Sequence, residues 1–481
     1  MQHKTVSELH DLLVSKTITP TELVNESLKL AKKYSSLNCF NFIDEERALT
    51  KAKTSLFDPS NPLSCIPVAH KDLFCIKGMQ TTCSSKILDG YLPPFTATVV
   101  QNLDKVGCIT IAKTNMDEFA MGSSNETSYF GNVHNPWLKN HVPGGSSGGA
   151  AASVSSGIVP LATGTDTGGS IRQPAALCNL TGLKPTYGRI SRWGMIAFAS
   201  SLDQAGPIAH TAKDCAIALD AMTGHDCKDT TSLAMGPTKA FNSIEVFSKD
   251  KTLGIVKEFS DQLSHDMEKA FQESINTYKQ LGYKIKEISL PNIKYSVPTY
   301  YVIAPAECSS NLSRFDGVRF GLRSKDVKNL EELYINSRSE GFGNEVKRRI
   351  LIGTYVLSAG YYDAYYKKAQ QVRRLITSEF KNAFEQCDLI LTPTSPGTAF
   401  AFDSKGSKDP TELYLEDLFT IAANLAGIPA ISVPQKFVNG LPSGHQLIAP
   451  HLHEESILQT AHHFQLNTDW HLRTPQMEEF A

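Results

Sequence analysis

Two short stretches hold most of the residues able to do chemistry. Pro143-Gly-Gly-Ser-Ser-Gly-Gly149 is followed 17 residues later by Asp166-Thr-Gly-Gly-Ser-Ile-Arg172. Serine hydroxyls set among glycines suit nucleophilic attack on a carbonyl, because glycine lets main chain approach a substrate and consecutive amides can converge on one oxygen. Three other uses of such a stretch fit poorly. A phosphate cradle needs Lys-Ser/Thr after its last glycine, yet Gly149 is followed by Ala150 and Ala151, and no G-x-G-x-x-G is present. Gly144-Gly-Ser-Ser-Gly148 satisfies G-x-S-x-G, but that elbow needs a preceding strand and a later acid and histidine. Here Asn135–Pro143 reads as loop, and His70, His134 and His141 have no identifiable acid partner, so they read as structural. A flexible linker would not run straight into an Ala-rich helix and an apolar strand, as Ala150–Ala162 does.

From Gly144 to Ala175 the chain resembles the amidase signature family at every fixed position. The match runs through Gly-Gly-Ser-Ser-Gly-Gly, then Gly164, Asp166, Gly168, Ser170-Ile-Arg172 and Pro174. Upstream, Ile66-Pro-Val-Ala-His-Lys-Asp72 resembles the family's strand that ends in a catalytic lysine. The resemblance implies amide hydrolysis with Ser170 as nucleophile and Ser146, entered by a cis peptide, passing its proton to Lys71. A lysine serves as base only when its amine is neutral, a state that burial favours. The oxyanion is expected at Thr167, Gly168 and Gly169, and Asp166 and Arg172 could pair to brace that loop.

Downstream segments narrow the resemblance to the A-type subunits of glutamyl-tRNA(Gln)/aspartyl-tRNA(Asn) amidotransferases. They are Asn115–Ser123, Glu307–Gly321, Glu345–Ile350, Leu357–Tyr366 and Asp417–Pro434; Ala150 stands where those subunits often have serine. The implied substrate is glutamine, whose carboxylate and ammonium call for one cation and one anion. The resemblance places these at Arg349, with Arg348 adjacent as the other choice, and at Asp417; Met121 and Tyr301 would line the pocket. Arginine suits the carboxylate because its planar fork donates two hydrogen bonds. The ammonia would pass to a partner subunit that amidates the charged tRNA with ATP and magnesium, a small third subunit tethering the two. This chain would hold neither cofactor nor metal, and would meet tRNA only indirectly. The competing reading is a free-standing amidase of small amides.

The elements that must position these residues are those of an α/β enzyme. The resemblance implies one amidase domain over 1–481, a large mixed central sheet with helices on both faces. Its parts would be an N-terminal helical brace (1–60), a catalytic core (61–215) and a substrate-pocket half (250–481). Thr5-x-x-Glu8 and Thr19-Pro-x-Glu22 are capping boxes that open two helices. Cys65–Ala69, Thr98–Val100 with Leu103, Cys108–Ala112 and Ile158–Ala162 read as strands or helix–strand pairs. A charged helix is expected over Ser264–Leu281, a strand over Tyr283–Ile288, and a long helical pattern over Glu345–Ala383 broken near Gly360, ahead of the strand Leu389–Leu391. Gly224–Phe247 is polar, turn-rich and expected to be surface loop.

The charge balance, 47 Lys+Arg against 49 Asp+Glu, weakens any reading in which a broad basic face grips nucleic acid. Ten cysteines without a C-x-x-C pair predict reduced thiols and no structural metal. The acidic N-terminus, lacking an apolar core, is not a leader peptide, and no uncharged apolar run reaches membrane length; a cytoplasmic protein is expected.

Overall fold

The computed structural model describes residues 1–481 except 249, 407, 408 and 410, and the side chains of 260 and 261. Among the described residues eleven strands form one mixed sheet. They are β1 (Phe40–Ile43), β2 (Pro67–Lys71), β3 (Ile109–Thr114), β4 (Leu161–Thr165), β5 (Thr181–Lys184), β6 (Ala205–Ala209), β7 (Thr252–Val256), β8 (Lys284–Ile288), β9 (Leu389–Pro393), β10 (Ala430–Val438) and β11 (Leu441–Ile448). The order across the sheet is β1-β3-β2-β4-β6-β5-β10-β11-β9-β7-β8. β2 lies parallel between β3 and β4, and β7 lies parallel between β8 and β9. β2, β3, β4, β5 and β6 are buried along their whole length, as expected of strands covered on both faces.

Local chemistry explains most boundaries. Both N-terminal capping boxes form, at Thr5/Glu8 ahead of Val6–Val14 and at Thr19/Glu22 ahead of Pro20–Lys33. The segment read as a purely helical brace also supplies β1, which pairs with β3 at one sheet edge. Thr98–Lys105 is a helix feeding β3, the helix–strand pair expected there. The strand read from Cys65 begins at Pro67, because Cys65 adopts φ +63° and spends its amide on Gly107. The apolar run at Ile158 is likewise turn until β4 starts at Leu161. Ser264 caps the charged helix His265–Gln280. The long downstream pattern resolves into Asn344–Leu357, a wide turn over Tyr362–Lys367, and Lys368–Phe384, with Gly360 at φ +87° in the break.

The helix Gly148–Ser155 is completely buried, and its composition explains how. A Cβ on Gly149 would lie 2.3 Å from the Asn115 carbonyl oxygen and 2.6 Å from that of Cys39. Only a glycine lets this helix sit so close to the end of β3 and the start of β1. That proximity brings the Gly-Ser stretch to the C-terminal end of β2, where Lys71 sits.

Gly224–Phe247 carries only the short turn of helix Phe241–Ser243, yet it is tied down: Asp226 accepts from Thr98 and Ser191, and Asp229 from the Arg192 amide. All ten cysteines are free thiols, Cys227 alone being exposed. No helix among the described residues is long and apolar enough to cross a membrane.

Candidate active site

Lys71 closes β2 with its side chain fully buried. Its Nζ donates to Ser146 Oγ at 2.7 Å and to Ser147 Oγ at 2.8 Å. Burial lowers the amine to about 7, against the opposing pull of Asp117, Asp166 and Asp203. A lysine poised to be neutral near pH 7 and bonded to two hydroxyls can take a proton from either. The sequence singled out Ser146; the second hydroxyl, on Ser147, also accepts from the Thr165 amide at 3.3 Å and so ties the Gly-Ser stretch to the end of β4. The Gly145–Ser146 peptide is cis.

β4 hands the chain to Asp166, and the expected brace is present. Arg172 Nε donates to Asp166 Oδ2 at 3.0 Å and an Arg172 terminal nitrogen to Oδ1 at 2.9 Å, both residues wholly buried. Burial would raise the Asp166 carboxyl, but Arg172, Lys184 and Asn424 hold it at about 2. The loop bent around this pair carries Thr167, Gly168, Gly169 and Ser170. None of those amides donates to a protein acceptor among the described residues, so they are free for an oxyanion beside Ser170. Ser170 is 7 % exposed, and its carbonyl accepts from the Ser147 amide at 3.3 Å, holding the two serine segments together. Glycine is required twice here. A Cβ on Gly168 would lie 3.0 Å from the Tyr300 ring, and one on Gly169, at φ +151°, would lie 2.3 Å from Thr420 Oγ1 and 2.8 Å from Asp417 Oδ1.

That last contact brings the predicted anion to the loop that carries Ser170. Asp417 is buried, with Oδ2 accepting from Ser123 Oγ at 2.5 Å and Oδ1 without a partner among the described residues. A buried carboxylate oxygen left unpaired is costly unless something positive meets it. Burial foremost, with Asp166 and Glu416 adding repulsion, raises Asp417 to about 8, against the opposing effects of Ser123 and Arg172. Thr420, donating to Gly168 O at 2.6 Å, and Asn424, donating to Asp166 Oδ1 at 2.8 Å, fasten this segment to the Ser170 loop.

Of the two candidate cations, Arg349 is the buried one. Arg349 is 3 % exposed, whereas Arg348 turns outward and pairs with Glu345 at the surface. Arg349 Nε donates to Glu345 Oε1 at 2.8 Å, and its guanidinium lies 5.2 Å from the Tyr301 ring centre and 5.6 Å from that of Tyr414. Its two terminal nitrogens donate to no protein atom among the described residues, which leaves the fork for a carboxylate. Tyr301 stacks on Tyr414 at 3.8 Å, so it shapes the pocket through Arg349. Met121 is fully buried with its sulfur 3.7 Å from Cys308 Sγ, forming wall behind the pocket rather than its surface. A cavity of about 310 Å³ lies beside this cluster, lined by Glu118, Ser123, Glu345, Arg348, Arg349 and Tyr414 among others; Asp417 and Ser170 are not part of its lining. The histidines stay apart from it: His70 spans Thr163 and Thr110 inside the sheet, His134 accepts from the Asn140 amide and His141 contacts Lys139 O.

A signature shared over a complete sheet, with lysine, serines and glycine loop in one place, calls for comparison with known proteins. The profile described as Amidase matches residues 22–458. The chain belongs to the amidase family. Among curated members it is similar to the A-type subunit of glutamyl-tRNA(Gln) amidotransferase from Pseudomonas fluorescens SBW25, 54 % identical over 481 residues and 99 % of each chain. The corresponding protein of Alcanivorax borkumensis is 53 % identical over 486 residues, again 99 % of each. The crystal structure of the A-type glutamyl-tRNA(Gln) amidotransferase subunit from Thermotoga maritima superposes with a TM-score of 0.84 at 40 % identity, covering 99 % of this chain and 98 % of that one. The amidase fold extends further, to the peptide amidase of Stenotrophomonas maltophilia at TM-score 0.84 and 24 % identity.

Proposed function

We propose that this chain is the glutamine-hydrolysing subunit of a tRNA-dependent amidotransferase. The observation that carries the reading is Lys71 Nζ, buried and 2.7 Å from Ser146 Oγ, beside a glycine loop that presents Ser170. In the proposed reaction Ser170 Oγ attacks the side-chain amide carbon of glutamine while its proton passes through Ser146 to Lys71. The amides of Thr167, Gly168 and Gly169 receive the oxyanion. Lys71 returns the proton through Ser146 to the leaving nitrogen, ammonia departs, and a glutamyl ester remains on Ser170. Water then attacks that ester by the same proton path, releasing glutamate and restoring Ser170.

Substrate choice is supported by two buried charged residues, Arg349 and Asp417. Arg349 offers a free fork to the α-carboxylate, and Asp417 offers an unpartnered oxygen to the α-ammonium. A simple amide would leave both unpaired, which is how a polar site rejects an analogue lacking the head group. The near-complete alignment with the A-type subunits of glutamyl-tRNA(Gln) amidotransferases supports delivery of the ammonia to a partner that amidates Glu-tRNA(Gln), or also Asp-tRNA(Asn), using ATP and magnesium, with a small tethering subunit and in the cytoplasm. The test is ammonia release from glutamine by the purified chain, alone and co-expressed with candidate partner subunits. Stimulation by partners and charged tRNA, lost in Ser170→Ala, is expected. Full activity alone on simple amides, with glutamine ignored, would replace this reading with a free-standing amidase.

A further inference from the structure

Glu118 is 3 % exposed and has no ion-pair partner within 4.0 Å among the described residues. Its carboxylate is satisfied otherwise. Gly343 N donates to both oxygens, at 3.1 Å to Oε1 and 2.9 Å to Oε2, and Ser85 Oγ donates to Oε1. Gly343 is the residue ahead of the helix Asn344–Leu357, which carries Glu345 and Arg349. A carboxylate at a helix N-terminus is favoured by the exposed amides and the helix dipole. The fit is close, since a Cβ on Gly343 would lie 2.3 Å from Glu118 Oε2.

Glu118 also belongs to the loop that serves the other two groups of the site. One residue before it, Asp117 N donates to the Ser146 carbonyl at 3.2 Å; five residues after it, Ser123 Oγ donates to Asp417. The Arg349 helix is held farther along as well, where a Cβ on Gly353 would lie 1.9 Å from the Pro305 carbonyl oxygen. Arg349 therefore lies between two anchors. One belongs to the helix Ser296–Asn311, and the other, Glu118, to the loop that reaches Asp417.

We infer that Glu118 is a positioning residue that sets the span between Arg349 and Asp417, and thereby the affinity for an α-amino acid head group. The inference rests on the glutamine-hydrolysing reading above. Without the Gly343 clamp the first turn of the helix keeps its packing at Phe342 and the Tyr414–Glu345 bond but loses its tie to the loop that reaches Asp417, and the guanidinium is held less tightly relative to the ammonium site. Glu118 hydrogen-bonds neither Arg349 nor Asp417, although it lines the cavity beside Arg349, so its effect is expected on head-group binding and not on the chemistry at Ser170.

The test is a calorimetric titration of glutamine into the full chain carrying Ser170→Ala, with and without Glu118→Gln. The substituted side chain has the same size but turns an N–H₂ toward donors. The expected result is a Kd raised about tenfold, equivalent to about 1.4 kcal/mol. In the chain with Ser170 intact, KM rises while kcat changes by less than about twofold, a split that general loosening of the fold would not produce. An unchanged Kd, or a fall in kcat at constant KM, overturns the inference. If Glu118→Gln does not fold, Glu118→Asp, which keeps the charge but falls short of Gly343, is read in the same titration with the same two outcomes. Failure of the Ser170→Ala parent to bind glutamine would remove the functional reading and this inference together; binding that Glu118→Gln leaves untouched removes the inference alone.

Discussion

The pH dependence of turnover tests the lysine directly. Burial places the Lys71 amine at about 7, so about one tenth of molecules hold it neutral at pH 6 and about nine tenths at pH 8. If the neutral amine is the base, kcat for ammonia release from glutamine rises about tenfold between those values, with a log–log slope near 1 below pH 7. Asp417 adds a second titration, but only before substrate binds. Raised to about 8, it is largely protonated at pH 6 in the free enzyme, whereas a bound ammonium holds it ionised. Consequently kcat/KM, which reports the free enzyme, steepens to a slope approaching 2 below pH 7 while kcat keeps a slope of 1. The assay is steady-state ammonia release at constant ionic strength from pH 5.5 to 8.5. Lys71→Arg, which cannot lose its proton, should be inactive throughout. A kcat that stays flat across this range, or a working Lys71→Arg enzyme, refutes the assignment of Lys71 as base.

The same lysine costs stability. Below pH 7 both folded and unfolded states hold its proton and the buried charge penalises the fold in full; the penalty fades as pH rises from 7 toward the ordinary value of 10.5. Lys71→Met, though inactive, should therefore be more stable than wild type at pH 6, by up to about 5 kcal/mol less the lost hydrogen bonds, with a smaller gain at pH 9. Thermal melts at the two pH values check the sign. Arg172→Met strands the Asp166 carboxylate in the core, and urea unfolding should show a loss of about 3–5 kcal/mol. Ser123→Ala removes the donor to Asp417, so KM for glutamine should rise by about tenfold, the equivalent of about 1–2 kcal/mol, with kcat nearly unchanged. The apparent pKa in kcat/KM should move upward in the same variant, because Ser123 lowers Asp417.

What is legible in the amino-acid sequence is local, or repeated by chemistry at short spacing. The capping boxes depend on residues three apart, and both form. The two glycine-serine segments announce main chain that must approach something closely, and Gly168 and Gly169 do meet Tyr300, Thr420 and Asp417. Strand starts are misread where an apolar residue is held by a distant partner, as when Cys65 gives its amide to Gly107. The Asp166–Arg172 pair, six apart, is legible as an option, and burial turns it into the brace of the loop.

The sequence by itself determined, through its resemblance to the amidase signature, the candidate reactive groups: hydroxyls on Ser146 and Ser170, a lysine at the end of an apolar strand and a glycine-rich run of amides. Only the tertiary structure decided what those groups are. Lys71 is disposed to lose its proton because the sheet removes it from water and sets it against a hydroxyl partner 75 residues along the chain. Arg349 rather than Arg348 is buried because consecutive helix positions differ by about 100°, and packing against Tyr301 and Tyr414 takes one of them inside. Ser123 meeting Asp417, and Glu118 meeting Gly343, join segments 294 and 225 residues apart. No periodicity in a sequence encodes such pairs, because their energies exist only after the core has excluded water from both partners.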